Sequence, residues 1–60
     1  MKKRILIVED DVTFGTMLKT WFAKKSWDAI WVSKVELAKL EFQNSKFDLI
    51  LSDLRLPDGD

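Results

Sequence analysis

The chain has 60 residues and contains neither cysteine nor histidine, which excludes disulfides and leaves only oxygen atoms to hold a metal ion. At this length, residues 1–60 form a single small unit, which buries only about 60% of the surface that its unfolded form exposes. Ten basic side chains balance ten acidic ones, so the net charge creates no positive electrostatic field that would attract nucleic acid. The apolar runs are too short for a membrane span or a signal peptide, and we therefore expect a cytoplasmic protein.

The first half of the chain predicts a strand, a helix and a second strand. Residues 4–8, "RILIV", form a continuous apolar run, which is typical of a strand that is covered on both faces. A helix over residues 12–25 is predicted next, with Asp11 or Thr13 as its cap. Its apolar residues recur at three- and four-residue spacing and predict one core stripe, made of Phe14, Met17, Leu18, Trp21 and Phe22. Residues 27–32, "WDAIWV", lack the helical period and predict the second strand.

The second half repeats this alternation. Ser33 and Glu36 have the spacing of a capping box, which predicts a second helix that runs to about residue 44. Residues 47–52 predict the third strand, and a loop follows because Pro57 lacks a donor and Gly59 favours a turn. The order βαβαβ predicts an α/β fold with half of a doubly wound parallel sheet, with strand order 2-1-3 and one helix on each face.

Acidic residues follow the first and third strands directly. Glu9, Asp10 and Asp11 come after the first strand, and Asp53 comes after the third. These two strands are neighbours in the predicted order, and their carboxyl ends meet at the switch point where such sheets bind ligands. Carboxylates that are held close together repel each other unless a cation offsets their charge. The pattern indicates a site for Mg²⁺, which prefers carboxylate and phosphate oxygens.

A purely structural interpretation of these acids remains open. An acid after a strand is common as a helix cap or in a first helical turn, and we expect Asp11 to have only that role. Glu9 and Asp10 alone are also compatible with a structural role. It is the convergence of acids from two strand ends that favours phosphate chemistry at a metal ion.

The motifs "ILIVEDD" and "DLILSDLRLP", with Gly59 behind them, resemble the amino-terminal half of the receiver domain of two-component response regulators. This resemblance implies a flavodoxin-like fold and a phosphorelay function rather than an enzyme, with Asp53 as the phosphoacceptor. It implies that Mg²⁺ is held by Glu9, Asp10 and Asp53 and by the backbone carbonyl of Arg55. It also implies a histidine kinase as a partner.

A complete receiver of this kind continues through further strands and helices, which supply a hydroxyl residue and a lysine to the phosphoryl group. We expect little or no phosphotransfer without them. The alternative function is therefore a half-domain, natural or engineered, that completes its core as a homodimer. A piece of a larger response regulator is equally compatible with the sequence.

Several apolar residues are candidates for the interface of such a homodimer. Leu37 and Leu40 fall on the side of the second helix opposite to Val35, Ala38 and Phe42, which fit core positions. Scattered exposed leucines are also ordinary on protein surfaces. Trp31 fits the core and an interface equally well, whereas Trp21 fits the core. The third strand has an open edge in a three-stranded sheet, and its candidates are Leu49, Ile50 and Leu51.

Overall fold

The computed structural model describes residues 2–52, which form three strands and two helices in alternation. Asp53, Arg55 and the predicted loop lie outside the described residues. Neither helix of residues 2–52 is long and apolar enough to cross a membrane. The elements are β1 (Arg4–Val8), α1 (Val12–Lys24), β2 (Asp28–Val32), α2 (Val35–Asn44) and β3 (Leu49–Ser52).

The three strands form a parallel sheet in the order β2-β1-β3, which confirms the predicted fold. In its register, Ile7 of β1 lies opposite Trp31 of β2 and Leu51 of β3. Side chains of β1 are buried at four successive positions, Ile5 to Val8. Because successive side chains of a strand point to opposite faces, both faces of β1 are covered, one by each helix.

Helix α1 is fixed at both ends by local hydrogen bonds. At its start, the carboxylate of Asp11 accepts from the amide N–H of Phe14 at 3.1 Å, which confirms Asp11 as the cap. At its end, the amide of Ser26 donates to the carbonyl of Ala23 at 3.1 Å, and that of Trp27 donates to the carbonyl of Phe22 at 3.0 Å. These two bonds form a Schellman motif.

The Schellman motif also explains where β2 begins. The rings of Phe22 and Trp27 pack edge to face with centroids 5.5 Å apart, which is the apolar contact that accompanies such helix ends. Because the amide of Trp27 is used by α1, β2 starts at Asp28, one residue later than predicted. Ser26, between them, has φ of 70°, in the left-handed region.

Replacement of Ser26 by glycine should stabilise the protein. The left-handed conformation costs a residue with a Cβ about 1–2 kcal/mol, and glycine offsets part of that gain through its larger chain entropy in the unfolded state. We expect Ser26→Gly to raise the free energy of unfolding by about 0.5–1 kcal/mol, measured by urea denaturation. Ser45→Gly is the matched control, because Ser45 ends α2 with φ of −147° and should gain nothing; equal stabilisation by both changes would contradict the prediction.

The predicted start of α2 was wrong. The cap is Lys34 rather than Ser33, and no side chain closes the helix start by a hydrogen bond. Glu36 lies in the first turn, where its charge interacts favourably with the helix dipole without completing a capping box. Strand β3 likewise starts at Leu49 rather than at residue 47. The residue before it, Asp48, donates its amide to the carbonyl of Arg4 at 2.9 Å, and its carboxylate accepts from the amide of Arg4 at 2.8 Å.

The predicted core stripe of α1 is only partly buried. Leu18 and Phe22 are half-buried, but the expectation was wrong for Phe14, Met17 and Trp21, which are 37%, 58% and 53% exposed. Helix α1 packs over β2 and β1 and does not reach β3. The flank of α1 that carries the exposed residues therefore has no covering partner among residues 2–52.

Helix α2 is loosely packed for the same reason, since it also lies over β1 and β2 only. Val35 and Phe42 were expected in the core and are 41% and 58% exposed. Ala38 is half-buried, and its small side chain adds little apolar contact. The core of the described residues is thus concentrated on β1.

Candidate metal centre

The carboxyl ends of β1 and β3 lie side by side, as the sequence predicts. Val8, the last residue of β1, is paired with Ser52, the last residue of β3. Glu9 directly follows the first of these strand ends, and Asp53 directly follows the second in the sequence. The structure therefore describes the first side of the candidate site, with Glu9, Asp10 and Asp11, and it ends at Ser52 on the other.

Glu9 is the most unusual residue of the site, because it is a carboxylic acid that is only 4% exposed. Its amide donates to the carbonyl of Val32 at 3.0 Å, which continues the β1–β2 ladder beyond the strand. One carboxylate oxygen, Oε2, accepts from the amide of Asp11 at 3.0 Å. The other oxygen, Oε1, is buried without a hydrogen-bond partner among the described residues. A buried acceptor left in this state is costly unless another group satisfies it.

A hard cation fits this pair of acids. Asp10, the neighbour of Glu9, is exposed and presents a second carboxylate at the same strand end. No group of three or more acids lies close enough to hold a metal ion within residues 2–52. Mg²⁺ commonly takes one or two carboxylates and keeps several waters. The unsatisfied Oε1 of Glu9 and the carboxylate of Asp10 are oxygen atoms of the type that Mg²⁺ prefers.

Trp31 supports the site from β2. The indole N–H of Trp31 donates to the backbone carbonyl of Glu9 at 2.9 Å. The ring lies so close to α1 that a Cβ added at Gly15 would overlap with it. The sequence alone did not decide between a core and an interface position for Trp31 and indicated no role for Gly15. Its one signal was a glycine in the interior of a helix, where glycine is unfavourable unless packing requires it.

The interface candidates differ in how far they are exposed. Four of them are exposed by 43% to 54%: Leu37, Leu40, Leu49 and Ile50. Trp31 and Leu51 are half-buried. Leu51 lies in an apolar groove of about 410 Å³ between β3 and α1, which is also lined by Met17, Leu18, Trp21 and Phe22.

Comparison with known proteins gives relatives that cover nearly the whole chain. It is 39% identical over 56 residues to the swarming motility regulation protein RssB of Serratia marcescens, a match of 93% of this chain and 26% of the relative. It is 32% identical over 57 residues to the transcriptional regulatory protein QseB of Escherichia coli O157:H7, with 95% of this chain and 26% of the relative covered.

A plant relative gives the same result. The chain is 34% identical over 59 residues to the two-component response regulator ORR26 of Oryza sativa subsp. japonica, with 95% of this chain and 10% of the relative covered. No family model matches the chain. No solved structure matches it significantly. The chain thus spans about a quarter or less of the length of these curated relatives.

Proposed function

We propose that the chain, which fits an amino-terminal fragment of the receiver domains of two-component response regulators, accepts a phosphoryl group at Asp53. The observation that carries the proposal is the buried, unpartnered Oε1 of Glu9 at the end of β1. It lies at the strand end adjacent to the one that Asp53 follows in sequence. A histidine kinase is the proposed donor in the cell.

In the proposed reaction, a carboxylate oxygen of Asp53 attacks the phosphorus atom of the donor. A bond forms between this oxygen and phosphorus, the bond from phosphorus to the donor's nitrogen breaks, and the nitrogen leaves with the electron pair and takes up a proton. Asp53 becomes an acyl phosphate and is not regenerated in this step, so the chain is a phosphoacceptor rather than an enzyme.

The other acids of the site have a supporting role. Glu9 and Asp10 would hold Mg²⁺ together with Asp53 and the backbone carbonyl of Arg55. When bound, Mg²⁺ offsets the negative charge of the phosphoryl group and of the carboxylates. Support for this role comes from the carboxylate of Glu9, whose Oε2 accepts from the amide of Asp11 while its Oε1 has no partner among the described residues.

Asp53→Asn tests the proposal directly. We expect the wild-type protein, incubated with a small phosphodonor and Mg²⁺, to gain the mass of one phosphoryl group in part of the molecules. Asp53→Asn should show no gain, because the amide of asparagine is a poor nucleophile and the carboxylate is not. The measurement is intact mass spectrometry. Asp48→Asn is the matched control at the opposite end of β3 and should keep the gain; an unchanged wild-type mass, or a gain that survives Asp53→Asn, would contradict the proposal.

A second candidate function is self-association with little phosphotransfer. It is supported by the exposure of Leu49 and Ile50 on β3, at 45% and 46%, and of Leu37 and Leu40 on α2, at 43% and 54%. Exposed apolar side chains on an outer strand favour pairing with another chain. In this case the occupant of the surface is a second copy, and the product is a homodimer.

Sedimentation equilibrium at micromolar concentration tests this second function. We expect the mass of two chains for the wild-type protein and of one chain for Ile50→Lys, because a charge in the apolar interface remains unpaired. Lys39→Glu provides a control for a charge change on the exposed surface of α2 and should leave the dimer intact. A wild-type protein that sediments as a folded monomer would rule out this function.

A further inference from the structure

The hydrogen bond between Trp31 and Glu9 joins residues 22 positions apart in the chain. Trp31 belongs to β2, on the far side of β1 from β3, and its indole N–H reaches over to the first residue after β1. A tryptophan that packs between a sheet and a helix usually finds an acceptor for its indole N–H, and here that acceptor is the backbone carbonyl of Glu9. The bond connects the ring to the main chain of the acid that carries the unsatisfied oxygen.

Packing restricts the position of the Trp31 ring independently of this hydrogen bond. In the register of the sheet, Trp31 lies beside Ile7, which is fully buried. On its other side lies the backbone of α1 at Gly15, where no side chain intervenes. Confined between sheet and helix, the indole has few alternative rotamers, so its N–H is held in place for the carbonyl of Glu9.

Glu9 is consequently held at three points. Its amide donates to Val32, its carbonyl accepts from Trp31, and its Oε2 accepts from the amide of Asp11. Of the polar atoms of Glu9, this leaves Oε1 as the one without a partner among the described residues. Three fixed points determine where Oε1 lies, which is the condition for a preorganised ligand.

We propose that Trp31 is a positioning residue for the cation site, in which its indole N–H, seated over Gly15, orients Glu9 for Mg²⁺. The inference rests on the proposed function in so far as the ligand is Mg²⁺. The same contact makes Trp31 a built-in reporter, since a change at Glu9 alters the hydrogen bond of its indole N–H.

The variant that tests this is Trp31→Phe, which keeps an aromatic ring between sheet and helix and removes the donor. Trp27→Phe is the matched control: Trp27 is half-buried at the opposite end of β2 and packs against Phe22 and Lys3. Both changes reduce an indole to a phenyl ring, so both lower stability by packing. Only Trp31→Phe removes the hydrogen bond to the site.

Two measurements use the full chain and Mg²⁺ alone. Calorimetric titration should give a Kd for Mg²⁺ about threefold to tenfold higher for Trp31→Phe, the effect expected of one hydrogen bond, and an unchanged Kd for Trp27→Phe. Hydrogen exchange without metal should show faster exchange of the Asp11 amide in Trp31→Phe than in Trp27→Phe, because the carboxylate that accepts its N–H has lost one anchor.

The wild-type protein supplies a third measurement that needs no variant. In a nitrogen-15 NMR spectrum, the indole N–H of Trp31 should exchange more slowly than that of Trp21 and should shift on addition of Mg²⁺. Exchange of both indoles at equal rates would overturn the inference even if Trp31→Phe failed to fold.

The outcomes separate the two proposals. Equal Mg²⁺ affinity of wild type and Trp31→Phe, with equal Asp11 exchange, would overturn the role of Trp31 and leave the phosphoacceptor proposal standing. A wild-type protein that binds no Mg²⁺ would overturn the cation site and the positioning role together. If Trp31→Phe binds Mg²⁺ more weakly than the wild-type protein and Trp27→Phe does not, the result supports both the cation site and the positioning role of Trp31.

Discussion

Gly15→Ala is expected to destabilise the protein by about 1–3 kcal/mol, the cost of overpacking a well-filled site. The sign of the change in stability is informative, because alanine is more favourable than glycine in a helix interior by about 1 kcal/mol. At an exposed position, the same substitution would therefore stabilise the protein. The reason is the indole of Trp31, which occupies the space that a Cβ at Gly15 needs. The measurement is the free energy of unfolding by urea denaturation, with Mg²⁺ absent.

The control for this prediction lies one residue further along the helix. Thr16 is exposed, with its hydroxyl bonded to the carbonyl of Val12 at 2.9 Å, and Thr16→Ala should be neutral or slightly stabilising. A double change of Gly15→Ala and Trp31→Ala should cost less than the sum of the two single changes, since the truncated side chain no longer meets the new Cβ. A stabilising Gly15→Ala would show that the ring is free to move aside.

Glu9→Gln is expected to remove the stabilisation of the fold by Mg²⁺. A ligand that binds only the folded state stabilises it by about 2.7 kcal/mol at a concentration one hundred times its Kd, which raises Tm by roughly 10 °C or more in a domain of this size. Glutamine keeps an oxygen for the amide of Asp11 but loses the charge that Mg²⁺ requires. Thermal denaturation, followed by circular dichroism with and without Mg²⁺, measures the difference.

Without metal, the same substitution should not destabilise the protein. It removes a negative charge that is buried with one oxygen unsatisfied, and burying such a charge is unfavourable. Glu36→Gln, on the exposed first turn of α2, is the control and should keep the full response to Mg²⁺. A response that survives in Glu9→Gln would exclude Glu9 as a ligand.

The sheet was predictable because its signals are local. Residues 4–8 are apolar at successive positions, which indicates a strand covered on both faces, and the alternation with two helical segments determines a parallel sheet with its central strand first. The sequence limited the cap of α1 to Asp11 or Thr13, and the hydrogen bond from the amide of Phe14 decides for Asp11. The juxtaposition of Glu9 with the end of β3 followed from strand order alone.

Packing between elements was not predictable in the same way. The periodicity of α1 shows which side chains share a face, but not how far across the sheet the helix lies. Its position over β2 and β1 leaves Met17 and Trp21 exposed. The pairing of Gly15 with Trp31 depends on the same position, and a residue pair from two elements leaves no periodic signal in a sequence.

The strand order has a consequence for how the chain folds. The strand made first, β1, lies in the middle of the sheet, and its two neighbours are β2 and β3, the second of which ends at Ser52. Parallel pairings of this kind close long loops before any contact is gained, which slows folding. During synthesis, residues 4–8 therefore keep one unpaired strand edge until β3 has emerged, and an apolar strand with an unpaired edge is prone to aggregation in that interval.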